Sequence, residues 1–187
     1  MPELRSIDEG IFTVAGLLTP AECGQWITTA EGVGFIGAKI ETGFSSQVIK
    51  EIRDNDRAII VAPDAAQALW LAAKDFVPAR FGDWHAVGTN ESLRFYRYDV
   101  GQRFEWHQDG LFKRSNQEHS KLTFMVYLND DFEGGETSFA AANIAPKTGM
   151  ALFFIHHLKH KGQPVTRGRK YVLRTDVMYR LQTDSGH

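Results

Sequence analysis

From Ser92 to Leu181 the chain follows the two-residue period of β-strands, and that pattern restricts the folds open to it. Leu93 and Phe95 alternate with Arg94, Tyr96 and Tyr98, and Leu122, Phe124, Val126 and Leu128 alternate with Thr123, Met125 and Tyr127. Met150 to His156 is a short apolar run, and Lys170 to Leu181 is a long stretch rich in β-branched and aromatic residues. Gly101, Gly110, Gly134-Gly135, Gly149, Gly162 and Gly168 punctuate these runs. Thr19-Pro20-Ala21-Glu22 reads as a capping box with proline at the first helical position. It opens a helix through about Thr29, with Cys23 and Trp26 on or near the buried face. Pro63-Asp64 leads into a second helical stretch, Ala65 to Phe76, rich in Ala and Leu and ended by Pro78. Helices first and seven or more strands after favour an α+β protein, with a closed or sandwiched antiparallel sheet and the helices packed on one side. A jelly roll is the natural candidate.

The 187 residues contain no repeat, low-complexity run or linker, and fit one domain spanning 1–187. A formal net charge of −2 with no basic block gives no electrostatic argument for a nucleic-acid partner. Cys23 is the single cysteine, so an internal disulfide is excluded and a reducing cytoplasm is the default expectation. The first ten residues lack the apolar core of a signal peptide, and no stretch is long and apolar enough to span a bilayer. Thirteen Phe and four Trp point to a core, or a pocket, built on aromatic packing.

Within the strand-rich half stands His107-Gln108-Asp109, with His160 51 residues after Asp109. On a strand, residues i and i+2 share a face, so His107 and Asp109 can reach one metal ion while Gln108 points away. Two imidazoles and one carboxylate are the donor set of a non-haem Fe(II) facial triad, which leaves the opposite face of the metal open. An H-x-D by itself arises often by chance, and two surface histidines with a turn aspartate are the ordinary alternative. His156 and His157 compete with His160 as third ligand.

The surrounding segments carry more. Tyr98-Asp-Val-Gly-Gln-Arg-Phe-Glu-Trp-His107-Gln-Asp109 resembles the Y-x-x-G…H-x-D segment of prolyl 4-hydroxylase-like Fe(II)/2-oxoglutarate oxygenases. Tyr127-Leu-Asn with Phe132-Glu-Gly-Gly-Glu-Thr-Ser-Phe139 resembles their Y-L-N…F-x-G-G-E-T-x-F segment, and Pro146 to Phe154 resembles the P-x-x-G-x-x-L-x-F strand before the last ligand. His160-Lys-Gly-Gln-Pro-Val-Thr-Arg-Gly-Arg-Lys170 and the following Arg174-Thr-Asp176 resemble the closing H-x-G-x-x-V-x-x-G-x-K…R-x-D segment. Together these cover about half the chain, in order.

The resemblance implies a double-stranded β-helix, the jelly-roll barrel of this superfamily. It also implies a dioxygenase that hydroxylates an unactivated C–H and decarboxylates 2-oxoglutarate to succinate and CO2. Fe(II), 2-oxoglutarate and O2 are the implied cofactor and cosubstrates, and ascorbate is a candidate auxiliary reductant. His107, Asp109 and His160 would hold the metal. Lys170, ten residues after His160, would hold the far carboxylate of 2-oxoglutarate, since a buried carboxylate needs a partner. The tyrosine matching Tyr127 bonds that carboxylate, and the one matching Tyr98 leans over the cosubstrate. A carboxylate at Asp109, rather than a small residue, argues for hydroxylation over halogenation. Only His160 is followed by Gly and then, at the family's distance, by Lys170, so His156 and His157 are read as strand-end or supporting residues.

Other positions stay open. By alternation Arg174 shares Lys170's face and Arg169 does not; Arg174 is the second choice for the cosubstrate, and could contact substrate or pair with Asp176. Gly134-Gly135 reads as a hairpin turn, Cys23 as a buried small hydrophobe, and Trp106 as a core residue facing away from the metal. His85, His119 and His187 receive no role. Lys161 departs from the family, where Glu often follows the distal histidine, and a charge reversal there can alter a neighbouring loop. Two loop-like segments could cover the pocket: Gly43 to Arg57, with Arg53, Asn55 and Arg57, and Gly110 to Ser120, with Phe112, Lys113 and Arg114. The substrate class implied is peptidyl proline, with a free amino acid or other metabolite as competitor. The alternative function is a non-catalytic jelly roll that senses or scaffolds through metal or ligand binding. Oligomeric state is not legible.

Overall fold

A computed structural model of the chain describes residues 1–37, 40–42, 45–47 and 53–182. Its backbone is an antiparallel sheet in the order Glu3–Asp8, Ile11–Ala15, Ala151–Ile155, Glu118–Tyr127, Lys170–Leu181, Ser92–Tyr98, Asp56–Val61 and Ile36–Gly37. A smaller antiparallel sheet faces it, in the order Asn143–Ile144, Thr137–Phe139, His160–Gly162, Arg103–His107 and Arg53–Asp54. This is the jelly-roll double-stranded β-helix expected, mostly β with two helices.

Lys170–Leu181 organises the large sheet. It pairs with Glu118–Tyr127 along one edge, and with Ser92–Tyr98 and then Trp84–Thr89 along the other. Strand alternation splits its side chains cleanly. Leu173, Val177 and Tyr179 join one core cluster together with Phe95, Phe124, Val126 and Phe153. Val172 joins the other, with Tyr96, Tyr98, Tyr127, Leu152 and Phe154. The first cluster is closed by the helices, through Cys23 and Ala30 of Pro20–Val33 and Ala66, Leu69 and Ala73 of Pro63–Ala73. The second lies between the two sheets, where Phe139 and Ile144 of the small sheet complete it.

The helices sit on one side as expected, but they do not come first. Ile11–Ala15 precedes both and lies inside the large sheet against Ala151–Ile155, with Phe12 stacked on Phe153 at 4.9 Å. The hairpin that brings Glu3–Asp8 back onto it turns at Gly10, whose φ of 72° favours glycine and where a Cβ would push on the Ile155 side chain.

Helix boundaries also differ. The Thr19 capping box forms: the Glu22 N–H donates to the Thr19 hydroxyl at 3.2 Å, and the Thr19 N–H donates to the Glu22 carboxylate at 2.7 Å. The helix continues past Thr29 to Val33, because Ala30 is buried and Glu31 is gripped by Arg97 and Tyr171; Gly34 ends it at φ 91°. The second helix begins at Pro63 and ends at Ala73, before Phe76 and Pro78, because Val77 leaves the helix to enter the core. Cys23 is fully buried as expected, and burial pushes its thiol up to about 11. Trp106 is not a core residue. It does face away from the metal ligands, but its strand lies in the outer sheet and the side chain is 50% exposed. Among the described residues no helix is long and apolar enough to cross a membrane.

Candidate metal centre

His107 ends the strand Arg103–His107 and sits directly across from His160, the first residue of His160–Gly162. Asp109 lies just past the strand, where its N–H donates to the His156 carbonyl at 3.1 Å, while Gln108 turns outward and donates to the His157 carbonyl. The three side chains converge. His107 Nε2 lies 3.8 Å from Asp109 Oδ1, His160 Nε2 lies 3.7 Å from Asp109 Oδ2, and one donor atom from each falls within 4.8 Å of the others. His157 is exposed and stands outside this group; His156 is buried behind it.

The donor set has the form a divalent ion requires. His107 Nδ1 is 2.7 Å from the Glu105 carbonyl, and His160 Nδ1 is 3.1 Å from the Leu158 carbonyl. A carbonyl only accepts, so each Nδ1 carries the proton and each Nε2 presents its lone pair to the cluster. Burial, with His160 beside it, pushes His107 down to about 4, and burial also lowers His160. Burial alone would raise Asp109, but the Arg174 guanidinium, His160 and the Thr123 hydroxyl outweigh it and hold the carboxyl at about 2. At neutral pH the site is two neutral imidazoles and a carboxylate.

Asp109 is itself held. The Thr123 hydroxyl donates to Oδ2 at 2.6 Å and Arg174 Nη2 lies 3.2 Å from the same oxygen. Arg174 also reaches Asp176 Oδ1 at 3.4 Å, and Asp176 is fixed in turn by Arg94 at 3.0 Å and Asn90 at 3.3 Å. Arg174 therefore pairs with Asp176 and braces the metal carboxylate, while still lining the cavity.

That narrow cavity lies between the sheets, with Asp109, His107 and His160 at one side and Lys170 at another; Tyr98, Phe104, Met125, Thr137 and Val172 are among the other wall residues. Lys170 is 3% exposed and donates to the Gly135 carbonyl at 2.6 Å. Its ammonium sits over the Tyr98 and Tyr127 rings at 5.2 and 5.4 Å. Among the described residues no carboxylate lies within ion-pair distance of it, and burial pulls it down to about 7, with Glu136 acting weakly the other way. An ammonium has three protons to donate, so the cavity holds a buried cation with unused donors. Those residues fit Fe(II) at the triad and the far carboxylate of 2-oxoglutarate at Lys170. The Tyr127 hydroxyl donates to Thr137 Oγ1 at 2.7 Å, and Thr137 lines the cavity.

Gly134-Gly135 is not a turn between adjacent strands. Glu133–Gly134 pairs with Val165–Arg167, and both glycines have positive φ, 72° and 69°. A Cβ on Gly134 would meet the Pro164 carbonyl at 2.4 Å, so the pair lets the chain pass close enough to give Lys170 its acceptor. Gly135, Thr137 and Thr123 are site residues that sequence reasoning missed. Thr123 carried a signal in its shared face with Met125 and Tyr127, and Gly135 and Thr137 in the Phe132-Glu-Gly-Gly-Glu-Thr-Ser-Phe139 segment, which did not by itself say what they touch.

The expected lids resolve differently. Gly43, Phe44 and residues 48–52 lie outside the described residues, as does His187. Arg53 lies on a strand paired with Phe104, and Asn55 is the connecting residue between the strands Arg53–Asp54 and Asp56–Val61, buried with its amide donating to the Asp56 carbonyl at 3.0 Å. Arg57 lies on the strand Asp56–Val61, across from Tyr96. Gly110 to Ser120 contains a short hairpin, Lys113–Ser115 against the start of Glu118–Tyr127, in which Arg114 turns away to Glu91 and Glu118. Lys161 pairs with Glu105 on the adjacent strand at 3.0 Å, which absorbs the charge reversal locally.

Fold and donor set together define a non-haem iron oxygenase built on a jelly roll. The model of the 2OG-Fe(II) oxygenase superfamily matches residues 93–175. A protein of Acanthamoeba polyphaga mimivirus assigned as a prolyl 4-hydroxylase is 32% identical over 187 residues, covering 86% of this chain and 71% of its own. The PKHD-type hydroxylase of Gloeothece citriformis is 28% identical over 170 residues, covering 87% and 75%. The 2-oxoglutarate complex of a viral collagen prolyl hydroxylase from Paramecium bursaria Chlorella virus 1 shares the fold with a TM-score of 0.68 at 22% identity, covering 91% of this chain and 96% of that one. The chain belongs to the 2OG-Fe(II) oxygenase superfamily and is a prolyl 4-hydroxylase-like, Fe(II)/2-oxoglutarate-dependent hydroxylase.

Proposed function

We propose that this enzyme hydroxylates an unactivated C–H of a peptidyl or free amino-acid-like substrate, with a peptide-borne prolyl residue first in line. The observation that carries the oxygenase assignment of individual residues is the buried Lys170 ammonium, without a carboxylate partner among the described residues, on the same cavity as the three converging donors. When bound, iron would activate O2, the oxidant, with 2-oxoglutarate as the two-electron co-reductant: one oxygen atom would enter succinate, released with CO2, and the other the C–H.

The chain's own residues prepare that site. His107, Asp109 and His160 hold the metal from one side, each imidazole locked in the Nδ1–H tautomer by a backbone carbonyl. Arg174 and Thr123 fix the orientation of the Asp109 carboxylate. Lys170 anchors the far carboxylate of the cosubstrate, with the Thr137 hydroxyl as second donor and the Tyr98 ring flanking it. Phe104, Met125 and Val172 keep water from the cavity.

Beside Asp109 opens a second, wider groove of about 530 Å³, lined by Phe81, Leu111, His119, Lys121, Ile155 and His157 among others. Its size lies within the range of about 300–1,000 Å³ typical of ligand sites, and its openness to solvent suits a peptide segment. The relatives' names support a prolyl residue: prolyl 4-hydroxylase for the mimivirus protein, and collagen prolyl hydroxylase for the viral structure. The test is succinate release above the uncoupled background across proline-containing peptides and free amino acids, with product mass. A +16 Da peptide product supports the reading; turnover confined to free amino acids removes its peptidyl half, and turnover with neither overturns it.

A further inference from the structure

The metal carboxylate is the end of a hydrogen-bonded chain whose direction can be read from donor counts. The Thr123 hydroxyl has one proton and gives it to Asp109 Oδ2 at 2.6 Å. Its oxygen must therefore accept at the 3.0 Å contact with His156 Nδ1, so Nδ1 of His156 carries a proton. His156 Nε2 is 2.8 Å from the Ser120 hydroxyl, and the Ser120 oxygen already accepts from the Phe112 N–H at 2.8 Å. With Nδ1 carrying the imidazole's proton, Nε2 is the acceptor and the serine's own proton goes to it. Each link has one donor and one acceptor, and the run is directional: Phe112 N–H to Ser120, Ser120 to His156, His156 to Thr123, Thr123 to Asp109.

A β-bulge makes this possible. Ser120 and Thr123 are three apart, and on a regular strand they would face opposite sides. The register between Glu118–Tyr127 and Lys170–Leu181 shifts between Ser120 and Leu122, leaving Lys121 as the extra residue. Both hydroxyls then reach the two nitrogens of one imidazole. Ser120 and His156 are 1% and 7% exposed, and both line the groove beside Asp109. His156 also holds Asp109 at its other end, since its carbonyl accepts the Asp109 N–H.

We propose that His156 is a positioning residue that sets the orientation of the Asp109 carboxylate through Thr123 and ties it, through Ser120 and Phe112, to the Gly110–Ser120 segment bordering the substrate groove. This rests on the reading of Asp109 as a metal ligand. Loss of an outer partner of a metal ligand typically weakens metal binding by about 10–100-fold. His156 acts through another residue, so the informative readout is metal affinity rather than turnover.

The experiment is anaerobic Fe(II) titration of the full chain, with thermal unfolding of each metal-free variant alongside. Asp109→Ala serves as the reference: if it binds Fe(II) like the parent, the ligand reading fails and this inference with it. With that reference lost as expected, His156→Leu should weaken Fe(II) binding by about tenfold or more, as should Thr123→Val. The two changes combined should be no worse than either alone, because they cut the same chain. His156→Asn, whose amide can donate from the Nδ1 position, should recover most of the loss, whereas His156→Gln, which reaches only the Nε2 position, should not. Unchanged affinity in His156→Leu, independent and multiplying losses in the double variant, or equal affinities for the Asn and Gln variants would each overturn the proposal while leaving the ligand assignment standing. Should the Leu or Val variants fail to fold, the Asn and Gln pair alone decides it, since both are polar and fill the site.

Discussion

The two faces of the large sheet are made from the same strands and do opposite things. On the helix side, Phe153 stacks between Phe12 at 4.9 Å and Phe124 at 4.5 Å, and the neighbouring side chains are apolar and buried. One residue along the same strands, the side chains that point the other way include Thr123, Lys170, Arg174 and Asp176, all inside the barrel. The first face gains stability from burial. The second carries buried charge, which stabilises little and is retained for what it binds. Alternation lets one set of strands serve both purposes without compromise, and mutations on the two faces should therefore separate stability from function.

The largest separation is expected at Asp109. Asp109→Ala or His107→Ala should abolish succinate production while thermal unfolding stays cooperative near the parent temperature; retained turnover in either would remove that residue from the ligand set. On the opposite face, Phe153→Ala should cost about 3–5 kcal/mol of unfolding free energy, measured by denaturant titration, with Fe(II) affinity of the folded fraction unchanged. A loss of iron affinity matching the loss of stability would show that the faces are not independent.

Lys170→Met sharpens the contrast, because it should move the two properties in opposite directions. Removing a buried ammonium with no carboxylate partner among the described residues should leave the metal-free protein as stable or up to about 1–3 kcal/mol more stable. Affinity for 2-oxoglutarate should fall by about 100-fold, as expected for loss of a charged hydrogen bond worth about 2–3 kcal/mol, with Fe(II) affinity near the parent value. Equal cosubstrate affinity would transfer the role to Arg174.

Titration follows from the same group. Lys170 is held down to about 7 by burial, so it is charged below that pH and neutral above it. The cosubstrate carboxylates, with ordinary values near 4, stay ionised throughout. Affinity for 2-oxoglutarate should be level below pH 7 and weaken above it, by up to about tenfold per unit as binding takes up a proton. Lys170→Arg, charged at all these pH values, should flatten the profile. The smallest effect belongs to the surface. Lys161→Met breaks a pair with Glu105 at the rim, and should change stability by less than about 1 kcal/mol and metal affinity not at all.

Much of the metal site was legible because it depends on local period and spacing. His107, Lys170 and Arg174 each declare their face by where they fall in an alternating run, and the family segments order the site residues along the chain. Asp109 lies past the strand end, so its place beside His107 comes from the Asp109 N–H bond to the His156 carbonyl rather than from strand alternation. The long strand Lys170–Leu181 was read with its observed limits for the same reason. What stayed hidden depends on close approach in space. Ile11–Ala15 is five residues long, and only its pairing with Ala151–Ile155 makes it part of the sheet. The close pass at Gly134-Gly135 and the Tyr127–Thr137 bond need partners from distant segments. The bulge at Lys121 breaks the very period used to read the strand, so Ser120 and Thr123 could not be placed on one side in advance. Trp106 failed for a related reason: alternation fixed which way it points, but not that it would stay half exposed on that side of its sheet.

The most direct test of the central claim is anaerobic visible spectroscopy of the purified chain, titrated first with Fe(II) and then with 2-oxoglutarate. Chelation of the ferrous ion by the keto acid should give a charge-transfer band in the parent, no band in Asp109→Ala, and in Lys170→Met a band that appears only at about 100-fold more 2-oxoglutarate. An iron-loaded parent that stays colourless on saturation with 2-oxoglutarate, or an Asp109→Ala variant indistinguishable from the parent, would contradict it.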